Sequence, residues 1–198
     1  MTGIIWACVA TLLAACAPIL AKAGTKKTDP ALSGSIAGIV LCVVIFFYAK
    51  PQILAESSGL LGQKSIIFVL LAGLATGLFG ICFFKALHEG VTSGVVTIVR
   101  CSYVITLVAG VFIFHSSMSV KDYIVIALMI VGAVVLNLDE KKAAFSLLAS
   151  VCAAGAVILI KYSGVQTDRS IIAFWCVFIG AVVLVIYTIA QGGTKKIK

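Results

Sequence analysis

Arg100 stands in the apolar stretch 91–114, VTSGVVTIVRCSYVITLVAGVFIF, with no charged residue within ten positions on either side. A guanidinium near the middle of a membrane helix costs roughly 2.5–3.5 kcal/mol on insertion scales, so a chain retains one where something uses or neutralises it. Helical spacing places Ser93, Thr97 and Tyr103 on the same face as Arg100. Such a stripe suits an anion: the guanidinium pairs a carboxylate or phosphate, and the hydroxyls orient it. The expected substrate-binding residues are therefore Arg100, Thr97, Ser93 and Tyr103. A structural role stays open, in which Arg100 binds carbonyls at a kinked helix or snorkels to an interface. It lies about nine residues from the start of the stretch, roughly 14 Å at the helical rise, which strains snorkelling.

The other chemistry-bearing residues narrow the possibilities. Asp29, Glu56, Glu89, Asp122, Asp139, Glu140 and Asp168 all stand between apolar runs or at their ends. Export of cations on a buried carboxylate is therefore disfavoured, and an anionic or zwitterionic solute is favoured. HExxH, GxSxG and phosphate-loop patterns are absent, so neither enzyme activity nor a cofactor or metal is expected. His88 and His115 stand singly near run ends and are expected to be interfacial polar residues. The seven cysteines lie inside apolar runs without CxxC spacing and read as small packing residues.

The elements that position Arg100 must be membrane helices. The chain is 62% hydrophobic and 11% charged, with mean hydropathy +1.22. No soluble domain of this size keeps so much apolar surface out of water. Seven runs meet or approach the length of a bilayer span: 3–22, 33–49, 66–84, 91–114, 122–138, 143–160 and 170–190. In lipid each run must satisfy its own backbone, so the fold class is an all-α polytopic bundle of about seven transmembrane helices.

The net charge of +8 sits almost entirely between the runs and in the C-terminal tail. It is assigned to topology and lipid headgroups rather than to nucleic acid. Lys22, Lys85 and Lys161 read as snorkelling anchors at span ends, and Trp6 as an interfacial belt residue. Lysine and arginine divide five against nine between the two sides, which favours an outer N-terminus and an inner C-terminus. Ala21-Lys22-Ala23 resembles a cleavage site, but no basic residue precedes the run, so the first helix is expected to be retained. Gly34-x-x-x-Gly38 and Gly73-x-x-x-Gly77 permit close helix approach, and Pro18 is expected to kink the first span.

The chain also repeats itself. With Trp6 placed over Phe145, Ala10, Ala14, Ala15, Ala17, Ile19, Leu20, Lys22, Thr28 and Asp29 fall on identical residues 139 positions later. Val43, Val44 and Tyr48 then fall on Val182, Val183 and Tyr187 without a gap. Five spans separate the two starts, and five is odd, so the second copy enters from the opposite side. That is an inverted repeat, an architecture of many secondary transporters. The expected division is a first five-helix repeat at 1–140 and a partial second repeat of two helices with a basic tail at 141–198.

The segment from Gly73 to Leu138 resembles the second half of an EamA repeat of the drug/metabolite transporter superfamily. The resemblance rests on the Gly-rich third helix ending in Phe84-Lys85-Ala86-Leu87, a short polar loop and a Ser/Val-rich fourth helix. An amphipathic link and a fifth helix with Ile130-Val131-Gly132-Ala133 follow. With the first two spans it covers residues 3–138, and 143–190 supply two helices of a second repeat. Tyr103 stands before Val104 where such proteins often have proline, and His115-Ser116 where they often have an acidic residue. The resemblance implies a carrier of small organic solutes in the lipid bilayer, in the inner membrane for a bacterial chain. A ten-helix member would need roughly eighty more residues, so a homo- or hetero-oligomer is a possible working form. The alternative is a non-transporting membrane scaffold or assembly subunit, or a truncated transporter relative, that uses the same small-residue faces to bind a partner.

Overall fold

The computed structural model describes residues 16–25, 28–55, 63–115, 118–135, 140–163 and 169–192. Trp6, the opening of the first run, Thr167 and Asp168 of the repeat and the tail 193–198 lie outside them. The helices are residues 16–25 (α1), Pro30–Ala55 (α2), Gln63–Glu89 (α3), Thr92–Arg100 (α4), Ser102–Phe114 (α5), Val120–Val135 (α6), Glu140–Ser163 (α7) and Arg169–Ala190 (α8). No strand occurs among the described residues. The molecule is the expected polytopic helical bundle.

Local chemistry starts two of these helices. Asp29 Oδ1 accepts the Ala31 N–H at 3.1 Å, and Pro30, which has no N–H to leave unpaired, opens α2. Asp122 Oδ2 accepts the Ser119 N–H at 2.8 Å, which is one half of a capping box at the start of α6. Beyond the caps, the helices turn apolar side chains outward. On α2, Ile36, Ile39, Val40, Val43, Val44 and Phe47 are all exposed. A helix apolar on every side belongs in lipid rather than water.

Five stretches are long and apolar enough to cross a membrane: Pro30–Tyr48, Ile66–Glu89, Thr92–Ile113, Ala144–Tyr162 and Ser170–Ala190. The third joins α4 and α5. Of the other two expected spans, the first lies mostly outside the described residues, and α6 has 16 residues. Helix directions show what α6 must do. Lys85 meets Phe145 and Phe68 meets Tyr162, so α3 and α7 run antiparallel. The α4–α5 span leaves the face at which α3 ends, and α7 must start from that same face. In a bilayer α6 therefore crosses back, and its described length is about 24 Å at the helical rise.

The packing order is α2, α8, α3, α7, with α4 and α5 against α7 and α6 against α4. Val69, Ala72, Ile172 and Cys176 form one buried cluster, and Ala86, Leu87 and Val95 another. Both expected glycine pairs lie on packed faces. Gly73 faces Ile179 and Gly77 faces Val183, so α3 and α8 run parallel at close approach. Gly34 and Gly38 face Phe84, Leu184 and Ala181. The α2–α8 contact is antiparallel: buried Ser35 and Thr188 share a hydroxyl–hydroxyl hydrogen bond of 2.6 Å at one end, and Phe46 meets Phe174 at the other.

Candidate functional site

A cavity of about 500 Å³ opens where α1, α2, α3, α4, α5 and α7 converge. Its space comes from small residues. Ala17 and Ala21 of α1, Ala37 of α2 and Ala153 of α7 all face it. Phe79 and Phe83 of α3 form one wall, their rings stacked at 5.4 Å and 21°. Pro18 lines it as well and is buried within helical residues 16–25. Arg100 lies about 12 Å from the start of α4 at the helical rise, so the cavity sits in the interior of the apolar span Thr92–Ile113.

Arg100, Ser102, Tyr103 and Thr106 supply its polar groups. Arg100 Nη1 donates to Tyr103 Oη at 3.1 Å, and the guanidinium carbon lies 5.9 Å from the centre of that ring. Thr106 Oγ1 donates to the Ser102 carbonyl at 2.8 Å. Among the described residues no carboxylate lines the cavity.

The helix that carries Arg100 breaks directly after it. α4 ends at Arg100, α5 begins at Ser102, and Cys101 between them has φ −61° and ψ −12°. The Cys101 N–H is shared between the Thr97 carbonyl at 3.2 Å and the Ile98 carbonyl at 3.0 Å, a locally tightened turn. The Cys101 carbonyl in turn accepts from Val104 and Ile105.

Arg100 and Tyr103 thus come together at the cavity. Ser93 and Thr97 lie on the same helix but not among the residues that line it. Ser93 is exposed, and Thr97 Oγ1 turns back to the Ser93 carbonyl at 2.9 Å. Ser102 and Thr106 add two further hydroxyls to that of Tyr103. The signal for Thr106 is its spacing of three from Tyr103, whereas Phe79 and Phe83 arrive from another helix and carry no local signal.

Two lysines differ from simple interfacial anchors. Lys22 Nζ donates to the Leu87 carbonyl, to the Gly90 carbonyl at 2.6 Å and to the His88 carbonyl at 3.5 Å. The ammonium therefore caps the C-terminus of α3, where orphan carbonyls and the negative end of the helix dipole meet it. His88 Nδ1 lies 3.2 Å from the Thr25 carbonyl and ties the same two helix ends together. Lys85 lies over the Phe145 ring at 4.4 Å and borders a small pocket of about 90 Å³ with His88, Glu89, Tyr187 and Gln191. His115 ends α5 in the left-handed region at φ 48°, its N–H on the Gly110 carbonyl.

Comparison with known proteins agrees with this architecture. An uncharacterized transporter encoded in the cobO 3′ region of a Sinorhizobium species is 26% identical over 132 residues, covering 66% of this chain and 93% of that protein. No solved structure matches the chain. The model of the EamA-like transporter family matches residues 1–138, well over half of the sequence. With its apolar spans and its cavity within the bundle, the chain belongs to the EamA-like transporter family.

Proposed function

We propose that this membrane transporter carries a small anionic or zwitterionic organic solute by alternating access, with Arg100 as the anchor for its negative group. The observation that carries the proposal is a half-buried guanidinium at a 500 Å³ intramembrane cavity that has no carboxylate among its described lining residues. A guanidinium has five N–H donors. One is directed at Tyr103 Oη, which orients the group and leaves donors for a carboxylate, sulfonate or phosphate. Tyr103, Ser102 and Thr106 orient the bound solute. Thr97 and Ser93, about one and two turns nearer the start of α4 than Arg100, belong to the approach to the site.

Alternating access follows from the inverted repeat, with 1–140 as one unit and 141–198 as the start of another. The self-complementary contact of α2 with α8 supports this. An offset of 139 carries Ser35 to Phe174 and Leu184 to Ile45. The contact between Ser35 and Leu184 therefore has its counterpart beside the observed pair Phe46–Phe174. Two similar halves of opposite direction can exchange conformations and so expose one central site to either side.

The test is uptake into proteoliposomes from a panel of radiolabelled organic acids, amino acids and amines. The wild-type chain should accumulate one or more acids or amino acids. Arg100→Gln, inserted and folded to the same extent, should lower that uptake at least tenfold, the scale of a lost charge-assisted hydrogen bond in a dry site. Uptake confined to amines, or unchanged by Arg100→Gln, would refute the role of Arg100.

A further inference from the structure

We infer that the Arg100 cavity selects an amphipathic monoanion: one carboxylate or sulfonate on an apolar body of one or two rings, with no ammonium group. This selectivity presupposes that the cavity is the substrate site, and it narrows the substrate from anions and zwitterions in general.

Charge decides the first part. The cavity presents one cation, Arg100, and no carboxylate among its described lining residues. The whole sequence places every aspartate and glutamate between apolar runs or at their ends, so a second copy of the chain has none to lend either. An ammonium brought in beside Arg100 would lose its hydration and meet a like charge instead of a partner. A second negative group would likewise be desolvated without a second cation. One anionic group is the charge that the site neutralises.

Shape decides the second part. Phe79 and Phe83 stack on one another, with 5.4 Å between ring centres and planes 21° from parallel, and form an aromatic, apolar side of the cavity. Val96, Val99 and Val157 supply aliphatic surface around it. A sugar or polyol would leave many hydroxyls unpaired against these side chains, because Ser102, Tyr103 and Thr106 are the hydroxyls available there. A volume of about 500 Å³ lies in the lower half of the range of about 300–1,000 Å³ for small-molecule sites. It suits a body of one or two rings, packed among the phenylalanine and valine side chains with its anionic group at the guanidinium.

The experiment is binding to the full chain in phosphatidylcholine nanodiscs, a lipid without net charge. The probes are benzenesulfonate and naphthalene-2-sulfonate as monoanions, naphthalene-2,6-disulfonate as dianion, phenylalanine as zwitterion and methanesulfonate as an anion without a body. Saturable binding is expected for the aryl monoanions. The dianion, the zwitterion and methanesulfonate should each bind about tenfold more weakly or worse, and Arg100→Gln should weaken the aryl monoanions by a similar factor. Ala153→Asp, which adds a carboxylate to the α7 lining of the cavity, should move the preference toward phenylalanine; an unchanged preference in a folded variant counts against the inference. Phenylalanine or the dianion binding as tightly as the aryl monoanions, with loss in Arg100→Gln, would overturn this selectivity and leave Arg100 as an anion anchor. Aryl monoanion binding that is absent, or unaffected by Arg100→Gln, would overturn both.

Discussion

Gly77→Ala tests the α3–α8 seam on which the bundle is built. A Cβ at position 77 would stand 2.7 Å from Val183 Cβ, 2.8 Å from its Cγ1 and 3.2 Å from the Gly180 carbonyl oxygen. Carbon atoms in contact prefer about 3.5–4.0 Å, so the helices must part locally by about 1 Å. Rotating Val183 moves its Cγ1 but cannot move its Cβ, which is fixed to the backbone. Overpacking of this kind costs about 1–3 kcal/mol. Gly155→Ala is the matched control. It gains the same helix propensity, about 1 kcal/mol, and meets nothing within 4 Å. The measurement is reversible unfolding in mixed micelles by denaturing detergent, followed by circular dichroism. Gly77→Ala is expected to be about 1–3 kcal/mol less stable than Gly155→Ala. A double-mutant cycle sharpens the test. Val183→Gly should relieve Gly77→Ala, with a coupling of about 1 kcal/mol or more, whereas Val183→Ala should relieve it far less because the offending Cβ remains. Equal stability of the two alanine variants, or equal rescue by Val183→Ala, would refute the close-approach reasoning.

Lys22→Met should expose the carbonyls at the end of α3 and lower stability by about 1–3 kcal/mol, with partial recovery in Lys22→Arg; thermal melts in detergent check both. Ser35→Ala should cost only about 0.5–1 kcal/mol in the same unfolding assay, since Thr188 Oγ1 still reaches the Ala31 and Leu184 carbonyls at 2.9 Å. A loss several times larger would mean that the hydroxyl pair does more than join two helices.

The spans were legible because each must carry a long apolar run and satisfy its own backbone. Their ends were less so. The run 66–84 is the apolar part of a helix that continues to Glu89, since the backbone bonds persist into the headgroup zone where Lys85, His88 and Glu89 are solvated. The break at Cys101 had no sequence signal, as neither glycine nor proline stands there. Spacing along one face did not find Ser102, because the cavity is enclosed by several helices. Two residues of helix turn Ser102 away from Arg100 by about 160°. The proximity of Arg100 and Tyr103 follows from three-residue spacing, which survives a single tightened turn. Lys22 as a cap for α3, and the wall of Phe79 and Phe83, come from tertiary packing and have no local pattern.

The α2–α8 contact is unequal along its length. At one end, Ser35 Oγ lies 2.6 Å from Thr188 Oγ1, with the Ala31 and Leu184 carbonyls each at 3.0 Å as alternative acceptors for its proton. At the other, Phe46 and Phe174 meet at 5.7 Å between ring centres, a contact without directional bonds. Hydrogen bonds in lipid have no water to replace them, whereas aromatic rings can slide over one another at nearly constant surface contact. In the proposed alternating-access mechanism, this seam would pivot at Ser35 and Thr188, with the larger displacement at the phenylalanines. The phenylalanine end lies at the end of the bundle opposite the Lys22 clasp, so under that mechanism the two faces would differ in how readily they open, although the sequence repeat would make them equivalent.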